Sequence, residues 1–235
     1  MLKQRRENYL NLIENQSISL FYSGDLKHKS ADQSFPFSVN RNFFYLTNIE
    51  QVDVVLLMVK GVNTSETYLF IEEIDPIKAL WDGATLSFEE ASKLSEIPVS
   101  NIKNIDTLNT FINQILGVSR TATFGRLDKF YFDLEKLAPS SFLTKTETLA
   151  NTYKTQYPHM NVLNSNHVLA KLRMVKDEFE VKDTLVASKI TKEALEHVLK
   201  TLKPNMHEYE IEAEYNYILN KNNVTTSFDT IAASG

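Results

Sequence analysis

The sequence predicts a mixed α/β domain over residues 1–160, followed over residues 161–235 by a helical piece that opens a second domain. Three observations predict it. Short apolar runs with strand character alternate with stretches of helical period through the first part, the pattern of strands and helices sharing one layered domain. One run, Val54–Val59, is apolar at every position, as in a strand buried on both faces. The last third changes to two long amphipathic helical patterns separated at Pro204. A helix, a turn, a helix and one strand in so short a stretch is the beginning of a domain rather than a whole one.

The elements follow in order. Residues 2–14 carry Leu2, Tyr9, Leu10 and Ile13 at helical spacing. Ser19–Tyr22 is a short apolar run closed by Ser23-Gly24, a strand and a turn. Polar residues 25–34 read as a loop, and an aromatic segment, Phe43–Leu46, precedes the strand Val54–Val59. Thr67–Ile71 is a further strand. Ser87 caps a helix to about Leu94, with Glu90 placed to complete a capping box. Asp106 starts a helix carrying Leu108, Phe111, Ile112 and Ile115, stopped by Gly117, and Thr121–Phe124 reads as a strand. Tyr157-Pro158 marks the boundary. Asp177 caps a long helix to about Leu202, with Ala187, Ile190, Ala194 and Val198 on one stripe. Pro204 ends it. A helix from Glu208 presents Ile211, Tyr215, Ile218 and Leu219, and Phe228–Ala232 reads as a strand. The short connection predicts that these two helices pack antiparallel. Their apolar stripes are expected to find cover on a second copy or on the first domain.

Composition excludes several functions. The 235 residues are 43% hydrophobic and 23% charged, an ordinary globular balance. The 25 basic and 30 acidic residues give a net charge of -5, and basic residues cluster only in runs as short as Lys3–Arg6. Nucleic acid is therefore not an expected partner, because its binding rests on a basic surface that displaces counterions. The absence of cysteine excludes disulfides, thiolate metal sites and cysteine nucleophiles. No long apolar run follows the early lysine and arginines, so no signal peptide is expected. The longest apolar run falls far short of the ~20 residues a membrane helix needs. No membrane association is expected, and the expected location is cytoplasmic.

The residues by themselves show little chemistry. The six glycines form neither a Walker loop nor a dinucleotide fingerprint, and there is no Gly-x-Ser-x-Gly elbow. Glu193 with His197, and His207 with Glu210, have helical spacings that can hold a metal, but such pairs are common on solvated helices.

Three segments carry a resemblance. Lys29-Ser-Ala-Asp32 leading through Phe35-Pro-Phe37 and Asn40 to Phe43-Phe-Tyr-Leu-Thr47, then the strand Val54–Val59, is similar to the amino-terminal domain of aminopeptidase P. Leu80-Trp81-Asp82-Gly83 with Leu86 is the second. The third is Leu172–Glu180, then Lys203–Glu212, then Phe228–Gly235. It resembles the start of the pita-bread catalytic domain shared by Xaa-Pro aminopeptidases, prolidases, creatinases and methionine aminopeptidases. The resemblance implies a creatinase-like mixed-sheet domain followed by an incomplete α+β pita-bread domain. Asn48 and Asn205 stand where the family has glycine, and asparagine tolerates the left-handed backbone those turns need.

The family's metal ligands follow the segment that matches Ser227–Gly235. The chain is therefore expected to be part of a longer enzyme, to hold no metal and to be inactive alone. The enzyme implied removes an amino-terminal residue that precedes proline, using paired divalent ions, usually manganese, to generate hydroxide. Its partners are proline-containing peptides, and it is expected to be a homo-oligomer. Arg173 matches an arginine that projects toward the active site. The ordinary alternative for it is a surface arginine paired with Asp177. Asp32 and Trp81 match residues that in tetrameric members reach a neighbouring subunit's active site, Asp32 for the substrate's amino terminus and Trp81 as a wall for the proline ring. Their ordinary alternatives are a turn residue and core packing. A prolidase, and a binding module that has lost its metal ligands, are the competing readings.

Overall fold

The structure, a computed structural model, describes residues 1–74, 76–117, 121–136 and 142–233. It divides into two compact units, Met1–Met174 and Val175–Gly235.

The first unit is built on a mixed sheet. Its strands are β1 (Ser17–Tyr22), β2 (His28–Ser30), β3 (Gln33–Ser34), β4 (Val55–Lys60), β5 (Ser65–Ile71), β6 (Ile102–Asn104), β7 (Lys129–Phe132) and β8 (Asn161–Asn164). Six of them form one sheet in the order β6-β5-β4-β1-β7-β8, while β2 and β3 form a small separate hairpin. β4 is antiparallel to both β1 and β5, whereas β1–β7, β7–β8 and β5–β6 run parallel. Its helices are α1 (Leu2–Leu12), α2 (Arg41–Thr47), α3 (Pro76–Asp82), α4 (Phe88–Ser95), α5 (Leu108–Leu116), α6 (Thr121–Phe124), α7 (Lys145–Gln156) and α8 (Asn166–Met174).

Strand alternation divides the apolar residues between two cores. Leu56, Met58 and Phe21 pack with Tyr9, Leu10, Phe43, Leu46, Ala91, Val168 and Leu169, so α1, α2, α4 and α8 cover that face. Val55, Leu57, Val59, Ile18 and Leu20 pack with Leu108, Ile112, Ile115 and Tyr153, so α5 and α7 cover the other. No residue of Val54–Val59 is more than 3% exposed. The expected two-faced burial is present although both neighbours of β4 are antiparallel, because it is the helices on either side that decide it.

Buried Arg6 ties the first layer together. Its guanidinium donates to Leu46 O at 2.8 Å, Ser95 O at 2.7 Å and Glu96 O at 3.1 Å, carbonyls at the ends of α2 and α4. Burial lowers its pKa to about 10, partly offset by the charge of Glu96, so it remains a cation at neutral pH. Local signals are equally explicit. Ser87 with Glu90 and Thr144 with Glu147 form complete capping boxes. Asn48 closes α2 at φ +55°.

The structure departs from the sequence reading in several places. Residues 28–34 hold the β2–β3 hairpin rather than a loop. Thr121–Phe124 is a helix, not a strand, and the strand comes later at β7. The reason is a close approach: a Cβ on Gly61 would meet Phe124 O at 2.5 Å, and Val62 N bonds to that same oxygen. The first compact unit runs to Met174, since β8 pairs with β7 and α8 packs into the first core.

The second unit is a helical hairpin. α9 (Glu178–Thr201) is capped by Asp177, which accepts from Phe179 N and Glu180 N, both at 3.0 Å. The turn contains Pro204, with Asn205 at φ +70°, and α10 (Glu208–Lys221) folds back along α9. Ala194 and Leu219 are buried in this unit, and His197 Nε2 meets Glu214 Oε2 at 2.6 Å. A cleft of about 1120 Å³ is lined by Ile190, Val198, Ile211, Tyr215 and Phe228. Phe228–Ala232 is not a strand, since among the described residues this unit offers no second strand for its backbone to pair with. Ser234 and Gly235, the last residues of the Phe228–Gly235 segment, lie outside the described residues. No described helix is long and apolar enough to cross a membrane.

Replacing Arg6 by leucine would leave three helix-terminal carbonyls buried without donors. We expect Arg6→Leu to lower unfolding free energy by about 3 kcal/mol or more in urea titration; a change within error would contradict the tie. The cap glutamates set an acid limb. Glu90 is held below the usual carboxylate range by the Ser87 backbone N–H and then the Ser87 hydroxyl, and Glu147 by the Thr144 N–H and then Lys136. Their contribution is present above the unfolded carboxylate pKa and is lost as pH falls through the lower folded values. Glu90→Gln and Glu147→Gln should each flatten the acid side of the stability–pH curve.

Candidate functional site

The sequence-predicted residues fall in different settings. Arg173 lies in the last turn of α8, four residues after fully buried Leu169, so its side chain leaves the helix on the packed face. Its Nη1 donates to Asn42 Oδ1 at 2.6 Å. Asn42 is 2% exposed, and its Nδ2 donates to Asp133 Oδ2 at 2.8 Å. Asn40 Nδ2 donates to the same oxygen at 3.2 Å, while Asn40 Oδ1 accepts from Phe43 N at 2.9 Å. Four side chains therefore form one chain of hydrogen bonds from a cation to a carboxylate.

Local structure explains each placement. Asn40 is the N-cap of α2, the position asparagine favours, and Asn42 sits in the first turn beyond it. Asp133 follows the last residue of β7. Phe130 and Phe132 face the α5–α7 core and Tyr131 faces the α1–α2–α8 core, so the alternation carries Asp133 to the second face. Ser165 completes the frame: its N–H and hydroxyl both donate to Phe132 O, at 2.9 and 3.0 Å, setting the start of α8 beside the end of β7. Asp133 Oδ1 is buried with no hydrogen-bond partner among the described residues, so its compensation falls on Oδ2.

A second polar cluster lies at the end of β1. The Tyr22 hydroxyl donates to Asp53 Oδ1, and Lys145 Nζ reaches that oxygen at 2.7 Å and the Tyr22 hydroxyl. Burial, then the hydrogen bond and charge of Asp53, raise the Tyr22 pKa well above the ordinary phenol value. Such a phenol donates hydrogen bonds and does not act as a base near neutral pH, so the cluster reads as structural.

Asp32 and Trp81 do not join the Arg173 network. Asp32 is exposed at the turn between β2 and β3, next to Ala31 at φ +49°. Trp81 is on α3 and 85% exposed, which removes core packing as its explanation, and Ile77 and Leu80 beside it are also exposed. The two His–Glu pairs considered for metal binding are used otherwise. His197 meets Glu214 rather than Glu193, and Glu210 accepts from His207 N at 2.7 Å as part of a helix cap. No three His, Asp or Glu side chains among the described residues are placed to hold a metal ion. Sequence reasoning assigned nothing to Asn40, Asn42 or Asp133. The available signal was two asparagines two apart at a helix start, and an aspartate closing an aromatic strand.

A mixed sheet covered on both faces makes the first unit an α/β module. The family model of the aminopeptidase P N-terminal domain matches residues 2–124, and the chain belongs to that family. The model of metallopeptidase family M24 matches residues 183–235. The Xaa-Pro aminopeptidase of Haemophilus influenzae is 25% identical over 99% of this chain and 50% of its own length. The Xaa-Pro aminopeptidase of Escherichia coli is 23% identical over 99% of this chain and 52% of its own length. A solved structure from Bacillus anthracis, described as an aminopeptidase P, superposes with a TM-score of 0.88 at 32% identity over 96% of this chain and 52% of that one. An E. coli aminopeptidase P structure shares the fold, with a TM-score of 0.79 at 20% identity. The chain spans about half the length of the relatives it matches.

Trp81 is the only tryptophan in the sequence, so intrinsic fluorescence reports its setting directly. We expect the emission of a water-exposed indole and near-complete quenching by acrylamide. A blue-shifted, protected emission would show that Trp81 is covered.

Proposed function

We propose that this chain is the amino-terminal portion of a metal-dependent aminopeptidase that removes a residue preceding proline. The observation that carries the reading is the order of two family matches on one chain, the aminopeptidase P domain first and the M24 metallopeptidase second. The relatives named above are Xaa-Pro aminopeptidases, which does not favour a prolidase.

In this reading residues 1–160 are the aminopeptidase P-like domain and residues 161–235 open the catalytic domain. Arg173 orients substrate or an acidic neighbour through directed hydrogen bonds. Asp32 meets the substrate's amino terminus and Trp81 flanks the proline ring, each in the active site of another subunit of a homo-oligomer. Their exposure is compatible with that use. The peptides are proline-containing, the metal is manganese and the compartment is the cytoplasm. The residues described here do not fit a paired-metal centre, which needs several carboxylates and an imidazole converging on one point. Glu208, Glu210, Glu212 and Glu214 fan around α10 instead.

The test compares this chain with the longer protein that carries it, each given an Xaa-Pro-Xaa peptide, an Xaa-Pro dipeptide and an Xaa-Ala control in added manganese. We expect the longer protein to release the first residue of the tripeptide and this chain to release none. Cleavage of the dipeptide alone would mean a prolidase, no cleavage by either would mean a binding module, and turnover by this chain that survives repurification would mean the site has been misplaced.

A further inference from the structure

We propose that Asn42, anchored by Asp133, is a positioning residue that sets the direction of the Arg173 guanidinium; its consequence for catalysis rests on the role given to Arg173 above. The argument begins with the amide itself. Asn42 Oδ1 faces the cation at 2.6 Å and its Nδ2 faces the carboxylate at 2.8 Å. Turning the amide over would set its NH2 group against a guanidinium and its oxygen against a carboxylate, so the two charges lock one orientation. The amide dipole then lies head to tail between them, and each charge strengthens the hydrogen bond at the opposite end.

The backbone that carries Asn42 is equally constrained. Its helical turn is capped by Asn40, and that same side chain donates to Asp133 Oδ2, so the cap and the anchor are one group. Asp133 is 6% exposed and Asn42 is 2% exposed. With Asp133 Oδ1 buried and unpartnered among the described residues, the bonds that Asn42 and Asn40 give to Oδ2 are what compensate the buried carboxylate. An arginine serving solubility alone requires no buried chain behind it. Asp133 does not touch the guanidinium; it directs Arg173 through a neutral amide and occupies none of its donors. The arrangement joins the start of α2, the end of β7 and the last turn of α8, three segments far apart in sequence. Such support behind a functional group is what holds it to the tolerance chemistry needs.

The test uses Asn42→Leu, which removes both hydrogen bonds at similar volume, and the exchange pair Asn42→Asp with Asp133→Asn. In the exchange the bonds on either side of position 42 survive: the new carboxylate accepts from Arg173 and from the new amide, while the Asn40 bond to position 133 is given up, because both asparagines donate to the same oxygen. In the 235-residue chain, guanidinium NMR should show Arg173 with slow Nη rotation and protected protons. Asn42→Leu should shift these signals and speed the Nη rotation, and the exchange pair should restore them. In the longer enzyme, kcat/KM on an Xaa-Pro peptide should fall by roughly tenfold to a hundredfold in Asn42→Leu at unchanged metal content, and recover in the exchange pair. Unchanged Arg173 signals in folded Asn42→Leu would overturn the proposal. If Asn42→Leu fails to fold, the exchange pair decides, since a folded exchange protein with a mobile guanidinium overturns it and an ordered one supports it. A wild-type enzyme without Xaa-Pro activity sinks the functional reading alone, and the spectra still decide the positioning.

Discussion

The first unit depends on two adjacent strands, β1 and β4, being buried on both faces at once. Side chains that alternate across a strand present apolar surface to both sides of the sheet, and that surface needs cover on each. α1, α2, α4 and α8 supply it on one side and α5 and α7 on the other. Tyr9 and Ser19 satisfy one another in this interior. Tyr9 OH donates to Ser19 Oγ at 3.0 Å, and burial raises the Tyr9 pKa far above the ordinary phenol value. The edge strands β6 and β8 have only three and four residues, which limits the unpaired backbone offered to other chains.

The Arg173 network follows from that layering. Covering one face brings the start of α2 and the end of α8 over the carboxyl end of parallel strand β7. In open α/β sheets, functional groups collect beyond the carboxyl ends of parallel strands, where loops and helix starts converge. Here the convergence joins a cation and an anion through an amide. Direct pairing of buried charges costs desolvation that only good geometry repays, and the intervening amide gives each charge a short hydrogen bond without bringing the two together.

The second unit shows what packing leaves undone. α9 buries Ala194 against α10 but leaves Leu185 66% and Leu199 74% exposed. Its length and its Asp177–Glu180 capping box are local properties that need no tertiary support. Its apolar stripe is wider than one neighbouring helix can cover.

The sequence by itself determined what depends on neighbours a few residues away. The Ser87–Glu90 box, the stop at Gly117 and the cap at Asp177 are all legible, because their signals lie within one turn of backbone, while the left-handed turns at Asn48 and Asn205 were read through the resemblance. The two-faced strand was legible from its uninterrupted apolar run. Resemblance supplied the family and Arg173, but not what holds it. Tertiary structure alone decided that Thr121–Phe124 turns as a helix against Gly61, and that Phe228–Ala232, without a partner strand, forms none. It also decided the site. Asn42 bonds to Asp133 across 91 positions and to Arg173 across 131, and no periodicity links residues so distant. Which asparagine meets which aspartate is set only when the sheet order and the helix layers are in place, because the contact exists in space and has no counterpart in local pattern.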